Sequence, residues 1–381
     1  MNMKKQSITL LLTAAILMTP LFGQAQQEAP AAATQQMVDI TDNNGDVTTV
    51  KLNPQRVAIT DIYPLPSVMT VFLNSSKTIV GIHPTSMSAA KNGLLGQLYP
   101  DFLNISTGFM QGADLNVEEL MKLNPDVVLY NAESKSQGEK LRQAGFKAVG
   151  VSAIKWDYDV LETYRQWTDI LGKLYPDHGN VAEKVDKYSK DTKAMIEKRT
   201  AGLTDTQKKQ VLFLFLYNDK KMITSGKHFF GQWWANAVGA KNIAEGVQLG
   251  NSNAVITMEQ VYAWNPDAIF ITNFTSAEPE DLYNNAIGSD DWSKIKAVEN
   301  KQVFKMPLGS YRSYTPGVDT PITLLWMAKK VYPDLFEDIN IPQETRKYYH
   351  DIYGINLSDE QITTMFNANR AAANGYQVRA Q

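Results

Sequence analysis

The sequence predicts an α/β protein of two lobes, each with a central, mainly parallel sheet flanked by helices, joined by one long helical segment. Three observations predict it. Short apolar runs alternate with helical patterns in two separate series. A strandless amphipathic stretch, 157–200, lies between the series. A short unit also occurs twice: Glu118-Glu119-Leu120-Met121-Lys122-Leu123-Asn124-Pro125-Asp126 leads into an apolar run at 127–130, and Glu259-Gln260-Val261-Tyr262-Ala263-Trp264-Asn265-Pro266-Asp267 leads into another at 268–272. The copies start 141 residues apart, too far for a solenoid repeat and right for two similar lobes.

The elements follow in chain order. Residues 1–25 read as a secretory signal: Lys4 and Lys5, an apolar run from Ile8, and small residues at Gly23 and Ala25 that predict cleavage after Ala25. Pro20 interrupts the apolar run, which is too short to span a bilayer. Residues 26–52 form an Ala/Gln-rich leader and a hairpin at 38–52 turning at Asn43-Asn44-Gly45. The first lobe, 53–156, has strands at 57–60, 78–82, 127–130 and 148–151, with helices at 66–73, 117–123 and 136–143. The connecting segment, 157–205, carries a stripe of Leu161, Tyr164, Trp167, Leu171 and Leu174, a kink at Pro176, then Val181, Val185, Tyr188 and Met195. The second lobe, 206–339, has strands at 211–216, 222–224, 268–272 and 302–306, with helices at 230–238, 258–264 and 321–331. The polar tail, 340–381, is helix-prone near 359–373 and reads as an appended piece.

Composition excludes several function classes. The 381 residues carry 37 Lys and Arg against 40 Asp and Glu, a net charge of -3, which gives no basic bias for nucleic acid. Loss of Lys4 and Lys5 with the signal takes the net charge from -3 to -5. The absence of Cys excludes disulfides, thiolate metal sites, a Cys nucleophile and a lipidated N-terminal Cys. There is no G-x-S-x-G elbow, H-E-x-x-H, phosphate-binding loop or strand-linked G-x-G-x-x-G. The chain therefore reads as a non-enzyme with no catalytic residues and no cofactor.

Candidate ligand contacts come from the loops after strands, where ligands of two-lobe α/β proteins lie. Those loops place Tyr63, His83, Tyr130, Tyr217, Lys227, His228, Trp233, Tyr311, Arg312 and Tyr314 as candidate ligand-binding residues. Aromatic faces with a few directed donors suit a bulky, polar-decorated ligand, and Arg312 can fork onto an anion. Of Trp233 and Trp234, one is expected to pack in the core, because adjacent helical residues point different ways. His178 and His350 read as a turn and a surface or packing residue. No histidines pair at metal-ligand spacing, so no metal ligand is assigned.

The order of several segments resembles the periplasmic binding proteins of ABC importers for iron–siderophore complexes, haem and cobalamin. The resemblance spans about 50–340 and rests on Asn53-Pro54-Gln55-Arg56-Val57, the two Glu-to-Asn-Pro-Asp units and Thr224-Ser225-Gly226-Lys227. Val238-Gly239-Ala240-Lys241-Asn242-Ile243-Ala244 and the run from Trp292 into Gln302-Val303-Phe304 add to it, as does Leu325-Trp326-Met327-Ala328-Lys329. It implies two lobes bridged by a long helix, small cleft motions, and docking on a membrane permease through one glutamate per lobe, here Glu118 and Glu259. A glutamate in a first helical turn also complements the helix dipole, so the repeat alone leaves both roles open.

The resemblance implies a monomeric periplasmic binding protein that captures a metal chelate, foremost a ferric siderophore, and delivers it to an inner-membrane ABC permease. Haem, cobalamin and a nickel or cobalt chelate are the alternatives within the class. A secreted ligand sensor or an enzyme on the same scaffold is the alternative outside it.

Overall fold

The computed structural model describes residues 35–247 and 254–376. The signal and the first part of the leader, 1–34, lie outside the described residues.

The chain enters through the expected hairpin, β1 (Met37–Thr41) and β2 (Val47–Lys51), paired antiparallel from Met37↔Lys51 to Thr41↔Val47. Asp42 Oδ1 accepts the Asn44 and Asp46 amides across the turn, and its Oδ2 accepts the Gly150 amide at 2.8 Å. One carboxylate thus closes the turn and docks the hairpin on the first lobe.

That lobe runs β3 (Val57–Ile59), α1 (Leu65–Phe72), β4 (Ile79–Gly81), α2 (Pro84–Asn92) and α3 (Leu94–Leu98). A two-stranded ribbon, β5 (Met110–Gln111) and β6 (Asp114–Leu115), leads to α4 (Val117–Lys122), β7 (Val127–Asn131), α5 (Lys135–Gln143) and β8 (Ala148–Val151). Its sheet is all parallel, in the order β4-β3-β7-β8. The strands are buried on both faces, as a helix-covered parallel sheet requires.

The connecting segment is two helices, α6 (Val160–Leu174) and α7 (Gly179–Thr200). The break at Pro176 is a reversal, which corrects the kink expected from sequence. Gly172 faces Gly179 and Ala182, Arg165 feels the charge of Asp186, and Glu162 that of Lys190. These pairings run in opposite directions along the two helices, so α6 folds back on α7. The helix α6 packs into the first core through Tyr164, Trp167, Leu171 and Leu174, while α7 runs from Val185 in that core to Ile196 in the second.

The second lobe contains β9 (Gln210–Tyr217), β10 (Met222–Thr224), α8 (Phe230–Ala237), β11 (Lys241–Asn242) and β12 (Val255–Ile256). It continues with α9 (Met258–Trp264), β13 (Ala268–Ile271), α10 (Pro279–Tyr283), α11 (Lys296–Glu299), β14 (Val303–Lys305) and α12 (Thr320–Val331). The sheet order is β12-β10-β9-β13-β14, with β11 beside β9; β9, β13 and β14 are parallel and β10 is antiparallel.

The tail departs from its expected role as an appended piece. Helix α13 (Ile341–Tyr353) buries Tyr348, Tyr349 and Ile352 in the first core, joined by Ile362 and Met365 of α14 (Asp359–Phe366).

Candidate functional site

In a parallel sheet, loops after the strands gather at one edge, and here the two lobes' loops meet there. Tyr158, after β8, sets its ring 5.7 Å from Phe229 and 5.2 Å from Phe230 of the second lobe. The Leu94 amide donates to the Gly309 carbonyl at 2.9 Å. Both Asp157 (φ 50°) and Tyr158 (φ 61°) adopt left-handed backbone, which is costly for a ring-bearing residue and marks this junction as strained. Burial, aided by Glu133 and Asp157, pushes the Tyr158 phenol up.

In the first lobe, His83 caps the N-terminus of α2. Its Nδ1 accepts the Thr85 amide at 3.0 Å. Its Nε2 lies 2.8 Å from the Gly112 carbonyl, which only accepts, so Nε2 is the donor of that bond. Both nitrogens are therefore engaged in the fold, and the ring offers its face to Tyr63, whose centroid is 4.5 Å away. Tyr63 is half-buried.

In the second lobe, the loop after β14 carries Tyr311, Arg312 and Tyr314. Gly309 opens it against Asp319, whose carboxylate would lie 2.3 Å from any Cβ at that position. Asp319 Oδ2 accepts the Ser310 amide at 2.7 Å and its hydroxyl at 2.8 Å, and Oδ1 accepts the Tyr349 phenol. Burial raises the Asp319 carboxyl, and these hydrogen bonds oppose the rise.

Arg312 is fully buried. Its Nε donates to the Asn273 and Ala372 carbonyls at 3.1 and 2.9 Å. Its Nη2 donates to the Asn374 carbonyl at 2.9 Å, and its Nη1 to the Tyr311 phenol at 3.1 Å. The guanidinium also stands 5.5 Å from the Phe274 ring centre and 5.4 Å from that of Tyr311. Among the described residues no carboxylate lies within ion-pair distance of it. Burial pushes the Tyr311 phenol up, and Arg312 pulls it back.

Four of the sequence-predicted contacts, Tyr130, Tyr217, Tyr311 and Tyr314, are core residues. Tyr130 is fully buried, with its phenol beside Asn44 and Arg142 and its ring against Gly138 of α5. The Tyr217 phenol accepts Trp292 Nε1 and donates to Asp290, both at 2.9 Å, within a core on the other face of the second sheet. Tyr314 donates to Ser225 Oγ at 2.7 Å inside the aromatic cluster of Phe213, Phe215, Phe229 and Phe230. The alternation that puts a residue at a strand end does not say which face its ring takes. Lys227 and His228 are exposed, just before Phe229. Trp234 is the core member of its pair, donating to the Tyr314 carbonyl at 2.9 Å, and Trp233 is half-buried.

The sequence reading missed Tyr158, Phe229, Phe274 and Tyr376, all at the junction. Tyr376 comes from the tail, and its ring sits 4.5 Å from that of Phe274. Only the left-handed Asp157-Tyr158 pair escapes any sequence signal; the other aromatics were visible but unassigned.

Glu118 and Glu259 are exposed in the first turns of α4 and α9. Three residues on, hence on the same helical face, stand Met121 (49 % exposed) and Tyr262 (43 % exposed), two large apolar side chains left in solvent at equivalent repeat positions.

Among the described residues no group of three or more His, Asp or Glu is placed to hold a metal ion, and no helix is long and apolar enough to cross a membrane. A groove of about 810 Å³ along the β14 edge, lined by Phe304, Trp326, Lys329 and Lys330, lies away from the strand-end junction.

Residues 86–308 match the family described as periplasmic binding protein. A solved periplasmic solute binding protein from Veillonella parvula is 31 % identical, with a TM-score of 0.78 over 87 % of this chain and 97 % of that one. An uncharacterized ABC transporter substrate-binding lipoprotein of Bacillus subtilis, YvrC, is 24 % identical over 86 % of this chain and 97 % of its own length. The molybdate-binding protein MolA of Haemophilus influenzae is 25 % identical over 75 % of this chain and 82 % of its own.

Proposed function

Because the chain belongs to the periplasmic binding protein family, we propose that it is the substrate-binding component of an ABC importer, working outside the cytoplasm. Its cargo in this reading is a metal chelate, foremost a ferric siderophore, captured between the lobes and passed to the permease without chemistry. In this reading residues 53–156 and 206–339 are the two lobes, with the tail helices completing the first.

The observation that carries the choice of cargo is Arg312, a buried guanidinium facing carbonyls and aromatic rings at the lobe junction. Such a setting favours an anionic ligand with planar parts. The engaged nitrogens of His83 favour a preformed chelate over a bare ion. The molybdate named for MolA is likewise an anion. Glu118 with Met121, and Glu259 with Tyr262, are the surfaces offered to the permease, each a carboxylate beside an apolar contact.

Tryptophan-fluorescence titration of residues 26–381 tests the reading. The panel is ferric catecholate and hydroxamate siderophores, haem, cobalamin, molybdate, and free iron, nickel and zinc. Saturable binding of one chelate class with Kd below about 1 μM is expected, a free energy beyond about 8 kcal/mol. Silence across the chelates, or binding of molybdate or a free metal alone, overturns it.

A further inference from the structure

The last described residues lie across the lobe junction and touch both lobes. On the second lobe, Arg370 forks onto Asp281 at 2.8 and 2.7 Å, and its amide donates to Glu278 at 2.7 Å. On the first lobe, Thr85 Oγ1 donates to the Gly375 carbonyl at 3.3 Å and Ser88 Oγ to that of Asn374. Between these anchors, the carbonyls of Ala372 and Asn374 accept from Arg312, and the Tyr376 ring covers Phe274. Gly375 (φ 69°) passes so close to α2 that a Cβ there would come within 2.4 Å of Ser88.

The segment 370–376 thus fills the groups that an anionic, ring-bearing ligand would use. The backbone carbonyls satisfy the guanidinium's donors but bring no negative charge to a buried cation. A carboxylate or catecholate oxygen in their place makes charge-assisted hydrogen bonds, roughly twice as strong as neutral ones. An uncharged ligand gains no such advantage over the carbonyls.

We propose that residues 370–376 are a strap that covers the Arg312–Phe274 subsite and competes for it with an anionic chelate, which displaces it. The proposal rests on the reading of this junction as the chelate site. The strap lowers apparent affinity by the fraction of time the subsite is open, and it disfavours neutral ligands, which gain no charge-assisted bond in displacing it.

Two variants loosen the strap from opposite ends without touching Arg312: Arg370→Ala and Gly375→Ala. Each is expected to bind a ferric tris-catecholate siderophore about tenfold more tightly than the unaltered chain. A neutral ferric tris-hydroxamate is expected to bind more weakly than the tris-catecholate to the unaltered chain, by about tenfold. Hydrogen exchange within 367–376 is expected to speed up when the tris-catecholate is added to the unaltered protein. Equal affinity in all three proteins, or slower exchange of 367–376 on binding, overturns the strap while leaving the chelate reading intact. Failure of the unaltered chain and both variants to bind any chelate overturns the chelate reading, and the strap with it.

Discussion

Asp319 anchors the loop that carries Arg312. Its carboxylate gathers the Ser310 amide and hydroxyl and the Tyr349 phenol, and Gly309 leaves it the space to do so. Asp319→Ala strands all three donors in a buried site, each a loss of about 1–3 kcal/mol when unmet. Chemical denaturation should therefore show destabilisation of about 3 kcal/mol or more; a loss within about 0.5 kcal/mol would remove Asp319 as the anchor of the loop. Gly309→Ala forces the same contact apart and should cost about 1–3 kcal/mol. Lys305 supplies a pH test. It is buried, donates to the Thr275 and Ala277 carbonyls at 2.6 and 2.7 Å, and burial lowers its pKa to about 7, against the pull of Glu278 and Asp281. In the unfolded chain it keeps its proton up to the ordinary lysine value of about 10.4. Between those values the unfolded state binds more protons, so stability rises with pH over that window. Relative to Lys305→Met, the unaltered protein should gain stability from pH 7 to 10; a flat difference would show that Lys305 stays charged when folded.

The paired units are the elements most fully legible in the sequence, and the structure explains half of each. Asn124 (φ 42°) and Asn265 (φ 45°) end α4 and α9 in left-handed backbone, where Asn is tolerated. Asp126 then accepts the Gln55 and Arg56 amides, and Asp267 the Gln210 amide, while Lys51 and Lys296 pair with the two carboxylates. Each Asp thus ties a helix end to the start of the neighbouring strand, which accounts for Asn-Pro-Asp without any partner. Glu118 and Glu259 are left outside that account, both exposed beside Met121 and Tyr262, with Glu259 also hydrogen-bonded to Thr257 at the start of α9. The double variant Glu118→Ala/Glu259→Ala should cut uptake in cells about tenfold or more at unchanged chelate affinity. Uptake at the unaltered rate would leave the glutamates as dipole partners only. Strand positions were readable because apolar runs are one-dimensional signals. The fate of Tyr130, Tyr217 and Tyr314 was not, because a ring at a strand end can turn to either face and only tertiary packing decides. The reversal at Pro176 was hidden for a related reason: a kink and a hairpin give the same apolar stripe, and only the approach of Gly172 to Gly179 and Ala182 separates them.

The tail shows why the whole molecule is needed to read its parts. Its sequence is polar on average, yet Ile341, Thr345, Tyr348, Tyr349 and Ile352 recur at helical spacing and all are buried. Tyr348 donates to the Val318 carbonyl at 2.7 Å, and Tyr353 meets the phenols of Tyr164 and Tyr348. Helix α12, just before the tail, contributes Ile322 to the first core and Leu324 to the second, so the two lobes and the tail share side chains. Fully burying one such large side chain is worth about 1.5–3 kcal/mol. Removing Tyr348, Tyr349, Ile352, Tyr353, Ile362 and Met365 together would cost about 9–18 kcal/mol, as much as the roughly 5–15 kcal/mol that holds an ordinary domain folded. A chain ending at Ile339 is therefore expected to lack a cooperative heat-unfolding transition in calorimetry, whereas the chain from 26 to 381 shows one. A truncated protein that unfolds cooperatively within a few degrees of the full chain would return the tail to the status of an appendage. It would also leave the strap at 370–376 tethered to a part of the protein that the lobes do not need.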